Sequence, residues 1–291
     1  MFKGSFPALI TPFKNGEVDE DSFRAFVEWQ IEEGTDGLVP CGTTGESPTL
    51  SHVEHKRVTE ICIDQAKGRV PVIAGAGSNS TREAVDLVQH AKDAGADAAL
   101  VVTPYYNKPT QKGLYAHFKA AQDVGLPIII YNIPPRSIID MSVETMTKLA
   151  KLPHIVGVKD ATADLTRPQM TKVAMNGTDF CHMSGEDGTA VPFLAAGGDG
   201  CISVTANIAP RQCADMQRAW REGDIAACMA LQDRLMPVHS AMFCEASPGP
   251  VKHAAELLGK CAAEMRLPMT EIAESSKQTV HDALVNAGLL N

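Results

Sequence analysis

Residues 71–104 read PVIAGAGSNSTREAVDLVQHAKDAGADAALVVTP, and this stretch decides the fold. An apolar, charge-free run at 71–77 is followed by a helical stretch at 81–94 and a second apolar run at 98–104. Ser80 stands where a helix opens and Gly95 where one ends. Between them Ala84, Leu87, Val88 and Ala91 fall on one stripe at helical spacing. A strand, a covering helix and a second strand form one unit of a parallel sheet, whose strands are apolar because both faces are covered.

The same alternation continues in both directions. Further β-branched, nearly charge-free runs lie at 6–13, 37–42, 127–134, 155–161, 180–185 and 200–207, which brings the candidate strands to eight. Asp19 or Asp21 can open the first intervening helix, Ser51 the second and Ser142 the fifth. Eight evenly repeated βα units predict an α/β fold of the (β/α)8 TIM-barrel type rather than a doubly wound sheet. No GxGxxG or GxxxxGK[ST] fingerprint follows the first strand, which points the same way. After Gly223 the strand pattern stops. Helices are expected over 224–244, 251–258 and 270–290, with SPGP at 247–250 as a break. The expected organisation is a catalytic barrel over 1–223 and a small C-terminal helical subdomain over 224–291.

Composition narrows the function. The chain has 291 residues, 44% of them hydrophobic, enough for a full core. Its formal net charge of −9 argues against nucleic acid or an anionic membrane surface as the main partner. The N-terminal MFKGSFPALITPF lacks the pattern of a secretory signal, and no apolar run is long enough to span a bilayer, so a soluble cytoplasmic protein is expected. The eight cysteines are scattered without a CxxC pair, which suggests free thiols and neither a zinc knuckle nor a disulfide scaffold.

Active sites of (β/α)8 barrels gather at the carboxyl ends of the strands, so the residues there carry the information. They are Gly42-Thr43-Thr44-Gly45-Glu46, Tyr105-Tyr106-Asn107, Tyr131-Asn132, Lys159, Ser184-Gly185 and Ile202-Ser203. No histidine or carboxylate cluster accompanies them, unlike a metal hydrolase. Lys159 ends the apolar IVGVK, on the same strand face as Gly157, which would leave room beside it. Lysines are seldom buried unless paired or functional. A snorkelling lysine, or a pair with Asp160, is the plain alternative. An amine at a dry barrel mouth is a nucleophile for imine formation with a carbonyl substrate. GTTGE at 42–46 offers N–H groups and two hydroxyls suited to a small anion, or it is an ordinary βα turn. An anion site near such a lysine suggests an α-keto acid. Tyr131 could move protons or merely pack in the core, and Arg136 could hold a second carboxylate or simply sit at the surface.

With GTTGES (42–47), VVTPYYNKP (101–109), YNIPPR (131–136), GVKDAT (157–162) and ISVTAN (202–207), the chain resembles the dihydrodipicolinate synthase family of pyruvate-dependent Schiff-base lyases. The likeness runs from PALITPF to PVKHAAELLG, nearly the whole chain. It implies a metal-free, cofactor-free condensation of pyruvate with L-aspartate-4-semialdehyde, at the entry to lysine and diaminopimelate synthesis. By the resemblance Lys159 forms the imine, Tyr131 is the acid–base, and Thr43 links Tyr131 to Tyr106, which reaches in from a neighbouring subunit. Thr44 and Ile202 contact pyruvate with Gly185 close by, and Arg136 binds the semialdehyde carboxylate. Ser47, His52, His55, Asn79, Glu83 and Tyr105 resemble the family's L-lysine feedback site; a polar surface gives the same residues. A homotetramer, as a dimer of dimers, is implied. Pro48 and Pro135 depart from the family's usual residues. The rivals are N-acetylneuraminate and keto-deoxy sugar acid lyases, a metal-dependent aldolase, and a non-catalytic amino-acid-binding barrel.

Overall fold

A computed structural model describes residues 2–290. In chain order the strands are β1 (Gly4–Pro7), β2 (Phe13–Lys14), β3 (Glu17–Val18), β4 (Ile73–Gly75), β5 (Ala98–Val102), β6 (Ile128–Asn132), β7 (Ile155–Asp160), β8 (Cys181–Ser184) and β9 (Gly200–Ser203). The helices are α1 (Glu20–Glu32), α2 (His52–Ala66), α3 (Thr81–Ala94), α4 (Gln111–Gln122), α5 (Pro134–Ser137) and α6 (Val143–Leu149). They continue as α7 (Arg167–Ala174), α8 (Ala190–Ala195), α9 (Pro210–Glu222), α10 (Ile225–Ala241), α11 (Gly249–Leu257) and α12 (Glu274–Asn286). The chain divides into two compact units.

One unit holds residues 2–3 and 73–202. Its strands form a parallel sheet in the order β9-β8-β7-β6-β5-β4, each next to its neighbour in sequence. Parallel neighbours need a crossover, and α3 to α8 supply it. The expected stripe on α3 is the buried one, Ala84, Leu87, Val88 and Ala91, and Gly95 closes the helix in a left-handed turn. Ser80 occupies the N-cap position but its hydroxyl makes no capping bond. Its N–H instead donates to Ser78 Oγ, which itself donates to Glu83 at 2.7 Å.

The other unit holds residues 4–72 and 203–290. Its core gathers Phe13, Phe23, Phe26, Leu38, Ile61, Leu235, Val251 and Leu284. Of the apolar run at 6–13, only its two ends lie in strands, Phe6–Pro7 in β1 and Phe13 in β2, and β2 and β3 form a short antiparallel hairpin. The run at 37–42 reduces to isolated parallel bridges, Ala8–Val39 and Leu38–Val72. Asp19 rather than Asp21 caps α1, and Ser51 caps α2 in a reciprocal capping box with Glu54. α11 begins inside the SPGP segment, at Gly249, because Pro250 suits a first helical turn, where its missing N–H costs nothing.

Candidate active site

The registers of β6, β7 and β8 bring the lysine and one tyrosine together. Tyr131 pairs with Lys159 across β6 and β7, and Lys159 with Met183 of β8. Lys159 is only 5% exposed and Tyr131 6%. The lysine Nζ lies 4.3 Å from the centroid of the tyrosine ring, a cation–π contact that holds the amine against the phenol ring. Asp160 does not neutralise the lysine. Successive side chains on a strand face opposite ways, and Asp160 Oδ1 accepts from the N–H and hydroxyl of Thr162. Burial pushes the Asp160 carboxyl up, against the pull of those bonds and of Arg167.

The glycine that makes room at the lysine is Gly185. A methyl group there would stand 2.8 Å from Ala161 Cβ, 3.1 Å from the Asp160 carbonyl and 3.2 Å from Lys159 Cε. Gly157, expected to have that role, instead admits Cys181 of β8, whose carbonyl would lie 2.8 Å from an added Cβ. Gly185 N–H donates to the Asp160 carbonyl at 2.6 Å, fixing the end of β8 beside the end of β7. Ile202 is fully buried in β9.

Glu186 escaped the sequence reading. Burial and Asp187 push its carboxyl up, while Lys159 and Arg136 draw it back down, so it shares an electrostatic neighbourhood with both. The signal was its place after Ser184-Gly185 at a strand end, but one acidic residue in a loop carries little weight by itself. Arg136 lies exposed in α5, on the loop that follows β6. Tyr106 is 87% exposed with φ at +73°, a left-handed conformation uncommon for an aromatic residue. Tyr105 is at the margin of exposure, and Asn107 beside it donates to the Asn79 carbonyl at 2.8 Å. Asn79 and Glu83 thus lie at the start of α3, close to the Tyr105 loop.

In the other unit, GTTGE closes on itself. Gly45 N–H donates to the Gly42 carbonyl and Glu46 N–H to the Thr43 carbonyl, both at 3.1 Å. A side chain at Gly45 would collide with the Leu9 carbonyl at 2.9 Å, and the Gly45 carbonyl accepts from Thr11 at 2.7 Å. Thr44 is buried and Thr43 half-buried. Glu46, at φ +56°, accepts from Lys252 at 2.5 Å and from the Arg266 N–H at 3.2 Å. Desolvation draws the Lys252 ammonium down from its ordinary value. Ser47 opens a short 3-10 turn, His52 is exposed on the first turn of α2, and His55 is buried. Among the described residues, no group of three His, Cys, Asp or Glu could hold a metal ion, and no helix is long and apolar enough to cross a membrane. All eight cysteines are free thiols.

Relatives place this arrangement. The chain is 65% identical, over all of its 291 residues and all of the relative, to the 4-hydroxy-tetrahydrodipicolinate synthase of Rhodospirillum centenum. Among solved structures, the chloride-inhibited dihydrodipicolinate synthase of Acinetobacter baumannii, complexed with pyruvate, is 46% identical with a TM-score of 0.97, covering 100% of both chains. DHDPS from Cyanidioschyzon merolae with lysine bound is 38% identical with a TM-score of 0.96, covering 99% of each. The chain shares the fold of these structures, a (β/α)8 barrel with a C-terminal helical domain. The model of the dihydrodipicolinate synthetase family matches residues 1–287, and the chain belongs to that family.

Proposed function

We propose that the protein is a lyase that condenses pyruvate with L-aspartate-4-semialdehyde to 4-hydroxy-tetrahydrodipicolinate, the first committed step towards lysine and diaminopimelate. The observation that carries this reading is a buried amine, Lys159, packed on the Tyr131 ring at adjoining strand ends, in a chain of this family.

The Lys159 amine adds to the keto carbon of pyruvate, and water leaves to give an imine. Loss of a methyl proton gives the enamine, whose carbon attacks the aldehyde of the second substrate and forms the new carbon–carbon bond. The resulting alkoxide takes up a proton. The substrate's own amine then adds to the imine carbon, closes the ring and releases Lys159. Tyr131 moves the protons, passing them through Thr43 to Tyr106 of a neighbouring subunit. Thr44, Gly185 and Ile202 line the pyruvate end, and Arg136 holds the semialdehyde carboxylate in a fork of N–H donors.

The exposure of Tyr106 favours its lying against another copy of the chain, and a dimer of dimers follows from that reading. Ser47, His52, His55, Asn79, Glu83 and Tyr105 form a feedback site for L-lysine, with Glu83 facing the ligand's ammonium. The protein works in the cytoplasm, its barrel spanning 1–223 and its helical subdomain the remainder.

Borohydride reduction in the presence of pyruvate, followed by peptide mapping, tests the chemistry. A reduced pyruvyl adduct on Lys159 is expected, with turnover of pyruvate and semialdehyde and none of sugar acids. An unmodified Lys159, or preferential cleavage of a sugar acid, would overturn the reading.

A further inference from the structure

The loop that carries Arg136 leaves β6 at Asn132 and returns at Met141, and its two ends are clasped together. Asn132 is 1% exposed, and both ends of its side-chain amide are used. Nδ2 donates to Asp140 Oδ1 at 2.7 Å, and Oδ1 accepts the Met141 N–H at 3.1 Å. Arg167, at the start of α7, closes the clasp from the next βα unit. Its Nη1 and Nη2 donate to the two oxygens of Asp140 at 2.8 and 2.9 Å, and Nη2 also donates to the Met141 carbonyl. Gln111 of α4 adds a third grip, donating to the Asp140 carbonyl at 2.8 Å and accepting the Ser142 N–H at 3.1 Å.

Inside the clasp the loop is held in a conformation it would not choose freely. Ile138 has φ at +67°, a left-handed value that is costly for a β-branched residue and persists only where the surroundings over-determine it. The Ser137 hydroxyl lies 2.9 Å from the carbonyls of both Ile133 and Ile139. The side chain of Ile138 gains no burial in return, since the residue is 65% exposed. What the strained turn does is fix α5, and with it Arg136. Arg167 follows the strand that carries Lys159, so the same ion pair ties the arginine's loop to the lysine's βα unit.

We infer that Asn132, Asp140 and Arg167 are positioning residues for Arg136, setting how well the carboxylate of the second substrate is held without affecting capture of the first. The inference rests on the reading of Arg136 given above. A planar guanidinium recognises a carboxylate through two parallel bonds, and a displacement of about 1 Å from productive geometry can cost as much as ~100-fold. Pyruvate capture on Lys159 has no such dependence on α5.

Steady-state kinetics of Arg167→Met, Arg167→Lys, Asp140→Asn and Arg136→Ala, beside borohydride trapping and thermal melts, test this. Arg167→Met is expected to raise the KM for the semialdehyde roughly 10- to 100-fold. The KM for pyruvate and the trapped adduct on Lys159 should stay within about 2-fold of wild type, below the ~5-fold coupling that counts as communication between sites. Arg167→Lys keeps the charge but not the fork, so it should fall between. Should Arg167→Met fail to fold, Asp140→Asn, of the same shape and partly exposed, carries the same expectation. Equal changes in both KM values, or an unchanged semialdehyde KM in a folded variant while Arg136→Ala raises it, would overturn the positioning role. An unchanged semialdehyde KM in Arg136→Ala would instead overturn the assignment of Arg136 itself.

Discussion

Replacing Lys252 by Met should cost this protein a large part of its stability, and most of that loss should return when Glu46 is neutralised as well. The Lys252 side chain is fully buried. Its ammonium donates to Glu46 Oε1 at 2.5 Å and to the Glu264 carbonyl at 2.6 Å, and it lies 4.2 Å from the centroid of the Phe13 ring. Methionine keeps most of the stem's volume but none of its charge. The Glu46 carboxylate, itself 2% exposed, would keep the Arg266 N–H at 3.2 Å and the weaker pull of the Arg266 charge. Breaking a buried ion pair on one side costs about 3–5 kcal/mol, because the remaining charge is left without compensation. The lost bond to the Glu264 carbonyl adds about 1 kcal/mol. Against a total of roughly 5–15 kcal/mol for a folded domain, that is a severe loss. Lys252→Met with Glu46→Gln removes both charges and keeps an acceptor for the Arg266 N–H. Replacing a whole buried pair is often neutral or better, so the double variant should recover most of the difference. Urea unfolding at constant m-value measures this directly. A single variant within about 1 kcal/mol of wild type, or a double variant no better than the single, would refute the view that Lys252 and Glu46 compensate each other.

Lys159→Ala should fold and yield no pyruvyl adduct after borohydride; an adduct that persists on another amine would displace Lys159 from its role. Tyr131→Phe should keep the adduct while kcat falls by about 10²–10⁴-fold, the range of a lost acid–base group, and unchanged turnover would count against it. Gly185→Ala forces a methyl against Ala161 and Lys159 Cε and should cost about 1–3 kcal/mol of stability together with activity, read from melts and kcat. Arg266 holds the Glu54 carboxyl down to about 2. A depressed carboxyl contributes stability that is present above its ordinary range and lost as pH falls through its folded value, so acid unfolding should draw on this pair between about pH 4.5 and 2. Glu54→Gln should flatten that limb, and an identical acid profile would remove the pair from the account.

Signals confined to a few neighbouring residues were legible in the sequence. Asp19, Ser51 and Ser142 cap the helices they precede, because an N-cap side chain needs only the N–H groups of the next turn. Ser80 takes the N-cap position of α3 without a capping bond, and what replaces the reciprocal box is Ser78, two residues earlier, which accepts the Ser80 N–H and donates to Glu83. Six of the apolar runs hold the paired strands β4 to β9, but an apolar run by itself reports burial and not the length of the pairing. Residues 6–13 are buried throughout, yet the strand ends at Pro7. Lys159 could be found because an apolar strand ending in a charge is anomalous in one dimension. The space beside it could not, since whether Gly157 or Gly185 clears the amine depends on how β7 and β8 register. Arg167 reaches Asp140 across 27 residues and Lys252 reaches Glu46 across 206, and no local pattern announces either pair.

The two buried lysines show why burial alone does not mark a nucleophile. Lys252 is the more deeply enclosed, but its ammonium is committed: a carboxylate, a carbonyl and a ring face share it. Taking it out of that company to attack a substrate would strand Glu46, at a cost of several kcal/mol. Lys159 meets the Tyr131 ring, and its sequence neighbour Asp160 is turned to Thr162. The Lys159 amine is held by an aromatic face and by strand geometry, with Glu186 in its electrostatic neighbourhood. Gly185 keeps the space over its Cε clear of any side chain of its own, where a single methyl would crowd the lysine arm. Lys252 therefore holds the GTTGE turn in place, and Lys159 is the amine we propose to react.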